Sequence, residues 1–155
     1  MSEHRETIQD KWPEAATFCW GCGKNNEHGL QLKSYLEGDE TVATWTPQEY
    51  HLAFPGILNG GIISTLIDCH ATGTANALAH RQSGSDDHIM HVTASLSVKF
   101  LRPTPLGKPV TLRAHVEEAD ERRMKVVCSL YSEGVECARG EVVTASVDAR
   151  KFLET

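Results

Sequence analysis

Basic residues are in deficit: 15 lysines and arginines stand against 21 aspartates and glutamates, a formal net charge of −6. Nucleic-acid binders draw much of their affinity from a basic surface, so no nucleic-acid partner is expected. A local cationic patch for a phosphorylated ligand stays compatible with this balance. The first seventeen residues, Met1 to Thr17, hold no apolar run, so no secretory signal is read there. The most apolar stretch, Ile57 to Leu78, is interrupted by Asn59, Asp68, His70, glycines and hydroxyls, which argues against a membrane span. Five cysteines, an odd number, make no obvious disulfide framework, and the expectation is a cytoplasmic protein with reduced thiols. Neither an internal repeat nor a low-complexity segment is present.

Charge is also missing locally. The 31 residues between Glu49 and Arg81 carry one formally charged side chain, Asp68. From Ile63 onward the apolar positions Ile63, Ile67, Ala71, Thr74, Ala75 and Leu78 recur at helical spacing, with Ile62 and Leu66 widening the stripe. The segment therefore reads as a buried helix opened by Asn59-Gly60-Gly61. A lone carboxylate in such a helix costs several kcal/mol unless partnered or neutralised, a cost usually tolerated for chemistry. The helix start supplies a second tool, because its first backbone N–H groups have no partner within the helix.

At 155 residues the chain suits one domain with a real core. Residues 1–17 read as a loosely attached leader, and 18–150 as the domain. Strands are expected at Gly29–Glu37 and Thr41–Thr46, joined by a turn at Glu37-Gly38-Asp39. After the helix, Arg81–Asp87 reads as a polar loop. Ile89–Leu101 then alternates, with Met90, Val92, Ala94, Leu96, Val98 and Phe100 on one face. His91, Thr93, Ser95, Ser97 and Lys99 fall on the other. Further strands begin at Val110, Met124 and Val135, and the break at Arg139-Gly140 suggests a bulge in the last. Two strands, one long helix and four strands predict an α+β fold, a curled antiparallel sheet wrapped around a central helix. Its edges favour pairing into a homo-oligomer.

That element order, with Phe54-Pro55-Gly56-Ile57-Leu58-Asn59-Gly60-Gly61 and Asp68 seven residues on, resembles the hotdog-fold acyl-CoA thioesterases of the PaaI-like group. Cys19-x-x-Cys22-Gly23-x-x-Asn26-x-x-Gly29-Leu30 and Phe100-Leu101-Arg102-Pro103 resemble other signatures of that group. The resemblance spans roughly residues 18 to 148. It implies hydrolysis of an acyl-CoA thioester, with the amide of Gly61 or Gly60 holding the carbonyl and Asp68 acting as general base or nucleophile. Thr93 would be the assisting hydroxyl. Asn59 stands where such proteins often have histidine; it keeps a positioning role but cannot titrate near neutrality.

Gly60 and Asp68 lie eight residues apart, about 12 Å along a helix at about 1.5 Å per residue. One thioester cannot easily meet both on the same helix. Two helices packed antiparallel solve this, giving a composite site with Asn59, Gly60 and Gly61 from one subunit and Asp68 and Thr93 from the other.

His51 is a candidate at the mouth of the site, and Lys99, Arg102 and Lys108 are candidates for coenzyme A phosphates. His70, two residues after Asp68, points elsewhere and reads as a core or interface histidine. No tightly held cofactor or metal is expected. The single Cys19-x-x-Cys22 pair lacks a second pair, and His28, Cys69 and His70 are not at established zinc spacings. The competing readings are a hotdog enoyl hydratase or dehydratase, for which His51 sits three residues ahead of its usual place, and a non-catalytic acyl-ligand binder. Acyl length and the choice between coenzyme A and a carrier protein are not encoded legibly.

Overall fold

The computed structural model describes residues 5–83 and 88–153. Six antiparallel strands form one sheet in the order β1-β2-β4-β5-β6-β3. They are β1 Ser34–Glu37, β2 Glu40–Trp45, β3 Ile89–Phe100, β4 Val110–Ala119, β5 Arg123–Ser132 and β6 Val135–Asp148. One long helix, α1 at Gly60–Ser83, packs across the sheet, and a short helix α2 at Ala149–Phe152 closes the described chain. This curled sheet around a central helix is the hotdog fold anticipated from the element order. The polar loop expected over Arg81–Asp87 lies partly outside the described residues.

The helix forms where the apolar spacing placed it. Asn59 caps it, its Oδ1 accepting the N–H groups of Gly61 (2.8 Å) and Ile62 (3.2 Å). Leu66, Ile67, Ala71, Thr74 and Ala75 are wholly buried, and they meet Val110, Leu112, Val126, Leu130 and Val142 from the sheet in one core. The expected bulge at Arg139-Gly140 does not occur. Gly140 pairs regularly with both Cys128 and Val98. Its lack of a side chain serves packing instead, since an added Cβ would overlap Ile67 Cγ2. Ile67 is fully enclosed and cannot swing aside. Gly140→Val is therefore expected to destabilise the fold by about 1–3 kcal/mol, read as a lower urea midpoint at unchanged slope.

The irregularities sit elsewhere: register shifts fall at Glu117 in β4, at Cys137 in β6, opposite Leu130 and Tyr131, and at Ala94 in β3, between Thr93 and Ser95. The last one corrects the single unbroken alternation read for this strand. One inserted residue moves everything beyond it to the opposite face. Before Ala94, His91 and Thr93 turn toward α1, and beyond it Val98 packs on the core and Phe100 reaches Gly60. A strand with polar and apolar inner halves results.

The N-terminal segment is also packed, where loose attachment was expected. Two 3-10 turns, Ile8–Lys11 and Glu14–Ala16, follow a reciprocal Thr7–Asp10 cap. Ile8 and Gln9 are buried, and Gln9 Oε1 accepts the Ser34 N–H at 2.8 Å. The first strand begins at Ser34 rather than Gly29. Before it, the N–H groups of Leu30 and Leu32 go to the carbonyls of Trp20 and Gly21, which ties the Cys19–Gly29 loop to this segment.

Candidate active site

Asp68 sits in the middle of α1, half-buried, on the wall of a cavity of about 850 Å³. The cavity lies between α1, the polar half of β3 and the N-terminal 3-10 turns. Thr93 donates its hydroxyl to Asp68 Oδ1 at 2.6 Å, and Thr93 Oγ1 lies 2.9 Å from Thr72 Oγ1. Since Thr93 has spent its one proton on Asp68, the Thr72 hydroxyl donates to Thr93. One turn further, Asn76 bridges both backbone groups of His91, accepting its N–H at 2.8 Å and donating to its C=O at 3.0 Å. Asp68, Thr72 and Asn76 are spaced i, i+4, i+8 and form a polar stripe that holds β3 in place. Thr72 and Asn76 were not singled out from the sequence, although this spacing on an otherwise apolar helix was the available signal.

Removal from water raises the pKa of Asp68 above the usual aspartate range; the Thr93 hydrogen bond pulls the other way, and charge on nearby Cys19 adds to the rise. The result is a carboxylate more basic than one in water, with one oxygen held in a fixed direction.

The helix start is not the fully open donor set expected. Gly61 N–H is engaged by Asn59 Oδ1, while Gly60 N–H has no acceptor among the described residues. Phe100 covers Gly60 from the side, 3.4 Å from where a Cβ would stand. His51 lies in this neighbourhood, its carbonyl accepting the Asn59 N–H. Its ring packs at a tilt against Trp45 and edge-on to Tyr50, and its Nδ1 accepts the Gln48 N–H at 2.8 Å. Partial burial lowers its pKa. Lys99 and Arg102 are exposed with no ion-pair partner among the described residues, whereas Lys108 meets Glu133 at 3.7 Å.

Within one chain the candidates therefore divide into two groups. Asp68 and Thr93 share the cavity; Asn59, Gly60, Gly61, His51, Lys99 and Arg102 do not line it. His70 belongs to neither. It is fully buried on the opposite side of α1, its ring nitrogens 2.8 Å from Ser34 Oγ and 3.0 Å from Thr41 Oγ1. Burial lowers its pKa to about 4, so it stays neutral as part of the core. Cys69, beside Asp68, approaches Cys19 and Cys22, and the three sulfurs lie within 4.8 Å of one another. All five cysteines are free thiols.

A family model described as the thioesterase superfamily matches residues 55–138. The chain is 39% identical to a thioesterase superfamily protein from Shewanella loihica, whose structure matches with a TM-score of 0.63 over 77% of this chain and 93% of that one. It is 27% identical over 106 residues to the acyl-coenzyme A thioesterase THEM4 of Bos taurus. That match takes in 67% of this chain and 40% of the relative, so the chain spans well under half the length of the curated relative it matches. The PaaI protein of Escherichia coli, from the phenylacetic acid degradation operon, shares the fold at 17% identity, with a TM-score of 0.65 over 76% of this chain and 80% of that one.

Proposed function

The chain belongs to the thioesterase superfamily, and from that premise we propose that it hydrolyses acyl-CoA thioesters to a free acid and the coenzyme A thiol, using Asp68 as the general base or nucleophile. The observation that carries this reading is the Thr72–Thr93–Asp68 hydroxyl chain on the wall of a large, mostly apolar cavity. The Thr93 hydroxyl, itself held by Thr72, fixes one carboxylate oxygen, leaving the second to take a proton from water or to attack the acyl carbon. Hydrolysis by the first route places the water hydroxyl on the acyl carbon and the proton on Asp68, which returns it to the departing thiolate.

Charge developing on the thioester oxygen requires a donor, and Gly60 N–H is the free one at the helix start. It lies too far up the same helix to serve Asp68 of its own chain. The active unit is accordingly a homodimer, with Gly60 of one subunit facing Asp68 of the other. In support, β3 is an edge strand, and its exposed Leu96 and Phe100, with Leu101 after it, suit coverage by a second copy. Lys99 and Arg102, without an ion-pair partner among the described residues, lie on this same strand and its following turn and suit the phosphates of coenzyme A. No helix among the described residues is long and apolar enough to cross a membrane.

The test is thiol release from a panel of acyl-CoA esters, aliphatic of graded length and aromatic, followed by a thiol-reactive dye. Turnover with at least one ester, absent any change in enoyl absorbance, is expected. Enoyl chemistry without thiol release would identify a hydratase instead, and saturable binding without turnover a non-catalytic acyl binder.

A further inference from the structure

We propose that Cys19, Cys22 and Cys69 bind one zinc ion through three thiolates, leaving the fourth coordination position open to the cavity that Asp68 lines. This site is separate from the thioester chemistry and stands or falls independently of it. Its three sulfurs come from two distant parts of the chain, the loop after the N-terminal turns and the middle of α1, yet all lie within 4.8 Å of one another. Cys19 Sγ and Cys69 Sγ are 3.8 Å apart. Sulfurs bound tetrahedrally at about 2.3 Å from zinc stand about 3.8 Å apart, so this edge has the required length before any ion arrives.

The loop around the sulfurs is shaped for this convergence. A Cβ on Gly21 would overlap Cys69 Sγ, and one on Gly23 would overlap the backbone of Cys19 and the Thr17 carbonyl. Both glycines are thus needed for the third thiol to reach the pair and for the loop to close behind it. A redox disulfide would need only Cys19 and Cys22 and would leave the approach of Cys69 without a purpose.

No further histidine, cysteine or carboxylate joins the trio among the described residues. All three cysteines line the cavity, so the fourth ligand comes from there: water at rest, or a thiolate entering the cavity. Each thiol releases its proton to solvent on ligation, and zinc keeps its +2 state, so no oxidant or reductant takes part. Three soft thiolates favour zinc over magnesium or calcium. The ion would fasten the N-terminal wall of the cavity to α1 one residue from Asp68.

Native mass spectrometry and elemental analysis of the full chain, dialysed in the presence of reductant, are expected to give one zinc per chain. Cys19→Ser, an exposed position where misfolding is not at issue, should lose it, and Cys137→Ser, outside the trio, should keep it. Independently of any variant, zinc should slow iodoacetamide labelling of Cys19 by at least ~tenfold, and a chelator should restore it. Cobalt added after chelation should produce a thiolate-to-metal charge-transfer band. Zinc-free protein whose Cys19 labels equally fast with and without added zinc would overturn the proposal, as would full zinc retention by Cys19→Ser.

Discussion

Asp68→Asn is expected to lower kcat for thioester hydrolysis by about 10²–10⁴, the range over which a positioned general base contributes. The amide has the shape of the carboxylate and keeps a carbonyl oxygen to accept from Thr93, so the Thr72–Thr93 chain and the β3 contact should survive. What disappears is the basic second oxygen. Replacing a half-buried charge by a neutral amide also removes a desolvation penalty, so the thermal midpoint should stay level or rise. Losing activity while stability holds would assign a chemical role; losing both together would reduce Asp68 to a structural polar group. Single-turnover hydrolysis in oxygen-18 water then separates the two routes, since only direct attack leaves label in the Asp68 carboxylate.

Gly60→Pro should have an effect of similar size through the other half of the site. Proline is favoured at the first helical position and removes one thing, the N–H. In this chain that N–H is the one not already engaged by Asn59. Loss of an oxyanion donor elsewhere costs roughly 2.7–4 kcal/mol, or about 10²–10³ in rate. Gly60→Ala adds a Cβ at ordinary contact distance from Phe100 but keeps the donor, and should retain most activity. The decisive experiment mixes the two defective chains. After unfolding and joint refolding of Gly60→Pro with Asp68→Asn, half the dimers are mixed and each holds one intact site, so roughly a quarter of wild-type activity should return. No recovery, in a preparation shown to contain mixed dimers, would eliminate the site shared between subunits.

Much of this was legible in the residues. Helical spacing from Ile63 to Leu78 placed α1 and its buried face, and alternation placed every strand but the first near its observed limits. The single charge at Asp68 marks the middle of the helix, and the family resemblance implies Thr93 as its assisting hydroxyl, a residue that does donate to Asp68. Other features were not legible, for identifiable reasons. Asn59-Gly60-Gly61 reads from the sequence either as an open set of donors or as a tight turn with an Asn cap, and only the folded position of the Asn59 side chain decides that two of the donors are capped. Gly140 looked like a bulge because a glycine in a strand can mean either a bulge or a close approach; only the position of Ile67 chooses between them.

By itself, the sequence determined what depends on neighbours along the chain: helix and strand periods, the buried stripe, the isolated acid and the family signature. Only the tertiary structure decided what depends on residues far apart. The bulge at Ala94 shows itself in pairing with β6, and that one-residue shift is what turns His91 and Thr93 inward. Cys69, 47 positions beyond Cys22, joins Cys19 and Cys22 only because the N-terminal loop folds back over α1. Spacing rules for metal ligands assume short loops, and a third thiol delivered by packing leaves no such trace in the order of the residues.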